Sequence, residues 1–112
     1  MNTSRLLPIR THRRYSVQKI ASYQEDGLNF LTLTVDLGLG GMKIKTHCSL
    51  PAEEDRTFNL FLGNHSIQFR GKIVHNGNLP GKQKVAGIQF MGLSRHGRKL
   101  LKDYLGTLED LQ

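Results

Sequence analysis

The chain has 112 residues, 38% of them apolar and 7% aromatic, with no tryptophan. That length suits one domain able to bury its own core, and the composition excludes a disordered, collagen-like or coiled-coil chain. Sixteen Lys and Arg against nine Asp and Glu give a net charge of +7, which points to an anionic partner (nucleic acid, lipid headgroups or a phosphorylated small molecule) and on charge alone is equally compatible with a solvated basic tail.

Residues 1–13 read as a flexible basic arm, and the first twenty residues carry Arg5, Arg10, Arg13, Arg14 and Lys19 without a single acid. The arm begins a single domain over 1–112, with a barrel over about 14–91 and a helix over about 94–110. From Arg14 to Tyr23 the pattern is that of a strand, with Tyr15, Val17, Ala21 and Tyr23 in one alternating set. Asp26-Gly27 is a turn, and Leu31 to Val35 is a period-2 strand that runs into Asp36. Gly38, Gly40 and Gly41 interrupt it before Met42 to Lys45 resume the alternation.

Pro51 to Asp55 is a polar, acidic loop. Phe58, Leu60 and Leu62 alternate, Gly63-Asn64 suits a tight hairpin, and Ile67, Phe69 and Ile73 continue beyond it. Asn76-Gly77-Asn78 with Pro80-Gly81 reads as a second loop, and Val85 to Met91 as the last strand. About six strands at this short spacing predict a mainly β fold, a small antiparallel barrel or sandwich. The tail then changes period: Leu100, Tyr104, Leu108 and Leu111, widened by Leu101 and Leu105, make an amphipathic helix with Ser94 as its N-cap. Gly97 and Gly106 weaken that helix slightly, and its apolar stripe is expected on the barrel.

Two clusters carry chemistry. Arg10-Thr11-His12-Arg13-Arg14 sets guanidinium forks around a position where an anion fits, and the same fork reads guanine through O6 and N7. Alone it is also compatible with a solvated arm. Asp36-Leu37-Gly38-Leu39-Gly40-Gly41 sets a carboxylate, which only accepts hydrogen bonds, beside glycines that let a flat ligand approach. Alone it is also compatible with a bulge or turn. Together they supply cations for phosphate and guanine acceptors and an anion for the guanine donor edge, which is what a guanine-containing phosphodiester requires.

In these residues the sequence resembles the PilZ family, which carries RxxxR before its first barrel strand and [DN]xSxxG between two strands. Arg10 and Arg14 match the first element; Asp36 and Gly41 match the ends of the second. Val85 to Phe90 followed by Leu93-Ser94 is similar to the family's closing strand and helix start. The resemblance runs from Arg10 to about Leu105. It implies a six-stranded antiparallel β-barrel with a C-terminal α-helix, and a stand-alone receptor that binds cyclic di-GMP and relays it to a protein partner. The implied outputs are motility, exopolysaccharide, biofilm or virulence. It gives Arg10, Arg13, Arg14, Asp36, Gly38, Gly40 and Gly41 as the ligand-binding set. The family's serine is Gly38 here. A lost hydroxyl contact weakens binding by about 0.5–1.5 kcal/mol, roughly tenfold at most, and glycine is expected to leave more room.

Two other functions stay open: a PilZ-like adaptor that binds no nucleotide, for instance in type IV pilus assembly, and a nucleic-acid-binding barrel. The second is disfavoured by the shortage of aromatic stacking platforms. His12, His47, His65, His75 and His96 lack metal-ligand spacing, so no metal and no cofactor are expected. Cys48 lacks an activating base and reads as a small buried hydrophobe, and no enzyme motif is present, so no catalytic residue is assigned. No apolar run reaches the ~20 residues of a membrane span. With no signal-peptide core before Pro8 and one unpaired cysteine, a cytoplasmic setting is expected.

Overall fold

Alternating apolar residues build a barrel in a computed structural model that describes residues 12–52 and 55–110. The strands among the described residues are β1 (Arg14–Ser16), β2 (Ile20–Glu25), β3 (Leu28–Gly38), β4 (Gly41–Thr46), β5 (Asp55–Leu62), β6 (His65–Asn78) and β7 (Lys84–Met91). A 3-10 turn at Pro80–Lys82 precedes β7, and the helix α1 (Arg95–Asp110) follows it. Every pairing is antiparallel. β2, β5, β6, β7, β4 and β3 follow one another in a ring that the β3–β4 pairing closes, giving a six-stranded barrel. Inward residues such as Tyr23, Phe58, Ile44, Ile73 and Ile88 fill it and are all at most 2% exposed.

The strand expected from Arg14 to Tyr23 is two strands. β1 pairs with the far end of β3 at residues 36–38, whereas β2 pairs with residues 28–33 of the same edge. Thr34 creates the break. Its buried hydroxyl donates to Val17 O (2.6 Å) and accepts from Lys19 N (2.8 Å), while its own N–H reaches Lys19 O (2.8 Å). Between β1 and β2, Val17 O and Lys19 N thus bond to one side chain rather than to a ladder.

Both expected hairpin turns form. Asp26 and Gly27 take φ of 52° and 77°, the pair of left-handed residues that a type I′ turn demands. Gly63 alone is left-handed (φ 62°) in the turn joining Leu62 to His65, which is the type II′ pattern. The expected loop at Asn76-Gly77-Asn78 is instead the end of β6, paired with Ala86, Val85 and Lys84. Asn76 is held there because its side-chain amide accepts from Leu50 N (3.1 Å) and donates to Leu50 O (2.8 Å), so a turn-forming residue finds its side-chain partners in the β4–β5 connection.

α1 packs Leu101 and Leu105 against the barrel, with Leu100, Tyr104 and Leu108 half-buried beside them. Ser94 caps it: Ser94 Oγ accepts from Gly97 N at 3.0 Å. Gly97 is there for close contact, since a Cβ would lie 2.9 Å from Ile67 Cγ2 on β6. Leu111 lies outside the described residues, as do Glu53 and Glu54 of the acidic loop and residues 1–11 of the arm. Cys48 is half-buried against the core. Among the described residues, no helix is long and apolar enough to cross a membrane.

Candidate functional site

A bulge in β3 positions the site. The β3–β4 register passes from Thr34↔Ile44 to Asp36↔Lys43, so Val35 is an extra residue. Thr34 and Leu37 consequently are both buried, each 0% exposed, and the side chain that follows the extra residue is re-aimed. That side chain is Asp36. On the neighbouring edge, β1 places Arg14 opposite Gly38 and Ser16 opposite Asp36. The Arg14 guanidinium Nη1 donates to Asp36 Oδ1 in an ion pair. The two side chains are 23% and 16% exposed, so the pair is shielded enough to exceed the small value of an open-surface salt bridge, yet reachable by a ligand.

The glycines act through close approach, because none of Gly38, Gly40 and Gly41 has a left-handed φ. A Cβ on Gly41 would lie 2.2 Å from Ile88 O and 3.4 Å from Arg14 Nη2, so the backbone there sits directly beneath the guanidinium. Gly40 is exposed; its carbonyl accepts from Phe90 N at 3.0 Å, and a Cβ would lie 3.2 Å from His12 Cδ2. At Gly38 a Cβ would be 2.7 Å from Arg13 O and 2.8 Å from Arg14 Cδ. The room expected from glycine in place of serine does not exist: the backbone of β1 and the stem of Arg14 occupy it.

Arg13 points elsewhere. Its guanidinium lies over the Tyr15 ring, 4.9 Å from the centroid. Tyr15 Oη donates to Glu109 Oε2 at 2.9 Å, tying β1 to the last turns of α1. Burial first, and then the Glu109 carboxylate, raises the Tyr15 phenol above its ordinary pKa, so it remains a neutral donor. An open cleft of about 340 Å³ lies between His12, Arg13 and Leu39 on one wall and Lys102 and Leu105 of α1 on the other. The structure therefore brings Arg14, Asp36, Gly38 and Gly41 together, sets Arg13 and His12 at the adjoining cleft, and leaves Gly40 at its rim. Arg10 lies outside the described residues.

Sequence reading missed Tyr15, Lys102 and Glu109 as neighbours of this site. Tyr15 and Glu109 are 94 positions apart, and neither carries a local signal of the other. Among the described residues, no cluster of three or more His, Cys, Asp or Glu could hold a metal ion. Chemically, the site offers a donor fork and an acceptor carboxylate side by side, while the next residue along the chain, Arg13, lines a separate cleft with Lys102 and Glu109.

The PilZ domain family model matches residues 8–106. No curated protein sequence matches the chain. Among solved structures, the Bacillus subtilis inhibitor of motility MotI/DgrA superposes with a TM-score of 0.81 at 13% identity, over 93% of this chain and 53% of that one. Escherichia coli YcgR in complex with c-di-GMP superposes at 0.77 and 17% identity, over 90% and 46%. The PilZ domain of YcgR with c-di-GMP superposes at 0.75 and 17%, over 90% and 92%. The chain thus spans about half the length of the first two proteins and nearly all of the third, and what it shares with them at these identities is the fold.

Proposed function

The chain belongs to the PilZ domain family, and on that premise we propose that it is a receptor for cyclic di-GMP that passes the signal to a protein partner. The observation that carries the reading is the meeting of Arg14 and Asp36 in a partly exposed ion pair. Each guanine of the ligand has an acceptor edge at O6 and N7 and a donor edge at N1–H and N2–H₂, and two phosphates join the halves. Asp36 takes the donor edge; Arg14 takes a phosphate or the acceptor edge, bidentately. Both groups exchange one charged or polar partner for another, so neither is left buried and unpaired. Arg10 and Arg13 add cations, and Gly41 lets the Arg14 guanidinium lie close over the backbone. A ligand that draws Arg13 and Arg14 toward itself also disturbs the Arg13–Tyr15–Glu109 chain and hence the seating of α1, a change another protein can read. Support comes from the YcgR structures, which hold c-di-GMP on the same fold. Motility is one output in keeping with a neighbour named as an inhibitor of motility; exopolysaccharide, biofilm and virulence are the others.

A second reading, an adaptor that binds no nucleotide, is favoured by one observation: the motif's serine position is filled by Arg13 O. A ligand panel separates them. Cyclic di-GMP should bind, and cyclic di-AMP should not, because adenine turns its N1 acceptor toward Asp36. Equal binding of the two would refute the guanine role of Asp36, and binding of neither would favour the adaptor. Affinity that grows with oligonucleotide length and falls steeply with salt would point to nucleic acid instead.

A further inference from the structure

The barrel is unzipped along part of one seam, on the stretch of β3 that precedes Asp36. Residues 28–33 of β3 pair with β2, but pairing with β4 begins only at Thr34↔Ile44. The type I′ turn at Asp26-Gly27 makes Glu25 and Leu28 a hydrogen-bonded pair. Phe30 and Thr32 therefore also bond to β2, and the Thr34 N–H on Lys19 O confirms the phase. Asn29 and Leu31 must then aim their N–H and C=O groups away from β2, toward the open seam. Across it, a side chain replaces the ladder: Thr32 Oγ1 donates to Lys45 O at 2.6 Å.

An open cleft of about 400 Å³ occupies the seam. Its floor is the stack of Tyr23, Phe30 and His47, with the Phe30 and His47 centroids 4.6 Å apart. Leu31 forms one lip and is 77% exposed; Lys45 and Gln83 form the other. None of the described residues lining it is a carboxylate. Thr46, on its wall, has a buried hydroxyl with no hydrogen-bond partner. Exposed strand edges are normally guarded by charge, proline or a bulge. Leu28-Asn29-Phe30-Leu31-Thr32-Leu33 has none of these.

We propose that this seam receives an extended segment of another protein by strand addition, pairing with the backbone of Asn29 and Leu31. Main-chain bonds supply the attachment and side chains the selectivity. An apolar side chain of the segment lies against Leu31, and a carboxylate faces Lys45. The absence of an acid among the described residues that line the cleft, with Lys45 present, selects an acidic segment over a basic one. Leu31 is five residues from Asp36, roughly 16 Å along an extended strand, and the seam cleft is lined by neither Arg14 nor Asp36.

The test uses the full ¹⁵N-labelled chain without nucleotide. The probe is an acetylated, amidated hexapeptide of alternating Val and Glu, and its Val–Lys counterpart is the charge control. Amide shifts should concentrate at Asn29, Phe30, Leu31, Lys45 and His47, and the Val–Lys peptide should bind at least tenfold more weakly. Leu31→Pro removes a donor that β2 does not use and should weaken binding at least tenfold. If that variant misfolds, Leu31→Glu on the same exposed lip should repel the peptide to a similar degree. Shifts mapping elsewhere, no shifts at millimolar peptide, or undiminished binding by the variants would overturn the proposal. A peptide-free dimer mapped to the same edge would also overturn it, assigning the seam to a second copy of this chain.

Discussion

Replacing Gly38 by serine restores the family motif, and the structure predicts that it harms the protein. The new Cβ would meet Arg13 O at 2.7 Å and Arg14 Cδ at 2.8 Å. The first contact is backbone, so a rotamer change cannot relieve it. β1 must move by several tenths of an ångström, and it is held to β3 by only three residue pairs. Overpacking of this kind costs about 1–3 kcal/mol. The gain from one serine hydrogen bond is about 0.5–1.5 kcal/mol, about half the strain when the middles of the two ranges are compared. With a urea m-value of about 1–3 kcal/mol/M, the unfolding midpoint should fall by roughly 0.5–1.5 M. Gly38→Ala is the matched control: it carries the same Cβ without the hydroxyl and should fall by a similar amount. Affinity for cyclic di-GMP should not rise in Gly38→Ser. A serine variant as stable as the parent, or one that binds more tightly, would refute the claim that Arg13 O excludes a side chain there.

Thr34→Val keeps the shape of the side chain but leaves Val17 O and Lys19 N without their hydroxyl partner; a loss of about 1–3 kcal/mol should appear as a lower urea midpoint. Ser94→Ala removes the cap on Gly97 N and should lower stability by about 1 kcal/mol, recovered in part by Ser94→Asp, with far-UV circular dichroism as the readout.

The parts of the fold legible in the sequence are those set by local pattern. The alternation of Phe58, Leu60 and Leu62, the Asp26-Gly27 and Gly63 turns, and the four-residue spacing of α1 capped by Ser94 all rest on nearest neighbours. What the sequence hid depends on distant partners. The break between β1 and β2 is made by Thr34, and Asn76 stays in β6 because Leu50 reaches it. The extra residue at Val35 and the occupied space at Gly38 require two strands to be in place at once. The site was legible as a set of residue types: Arg14 and Asp36 do meet. Their direct pairing, the turning of Arg13 onto Tyr15, and the contribution of α1 to the cleft were not, because the motifs are written in single strands and the contacts cross between them.

The central claim is that one guanidinium and one carboxylate, Arg14 and Asp36, together hold cyclic di-GMP. Isothermal titration of the chain with cyclic di-GMP, repeated for Arg14→Ala and Asp36→Ala, tests it most directly. Saturable binding by the parent, weakened by about tenfold or more in each variant, as the loss of a charged hydrogen bond of about 1.5–3 kcal/mol requires, is the predicted result. No heat from the parent well above micromolar concentration, or equal binding by folded variants, would contradict it.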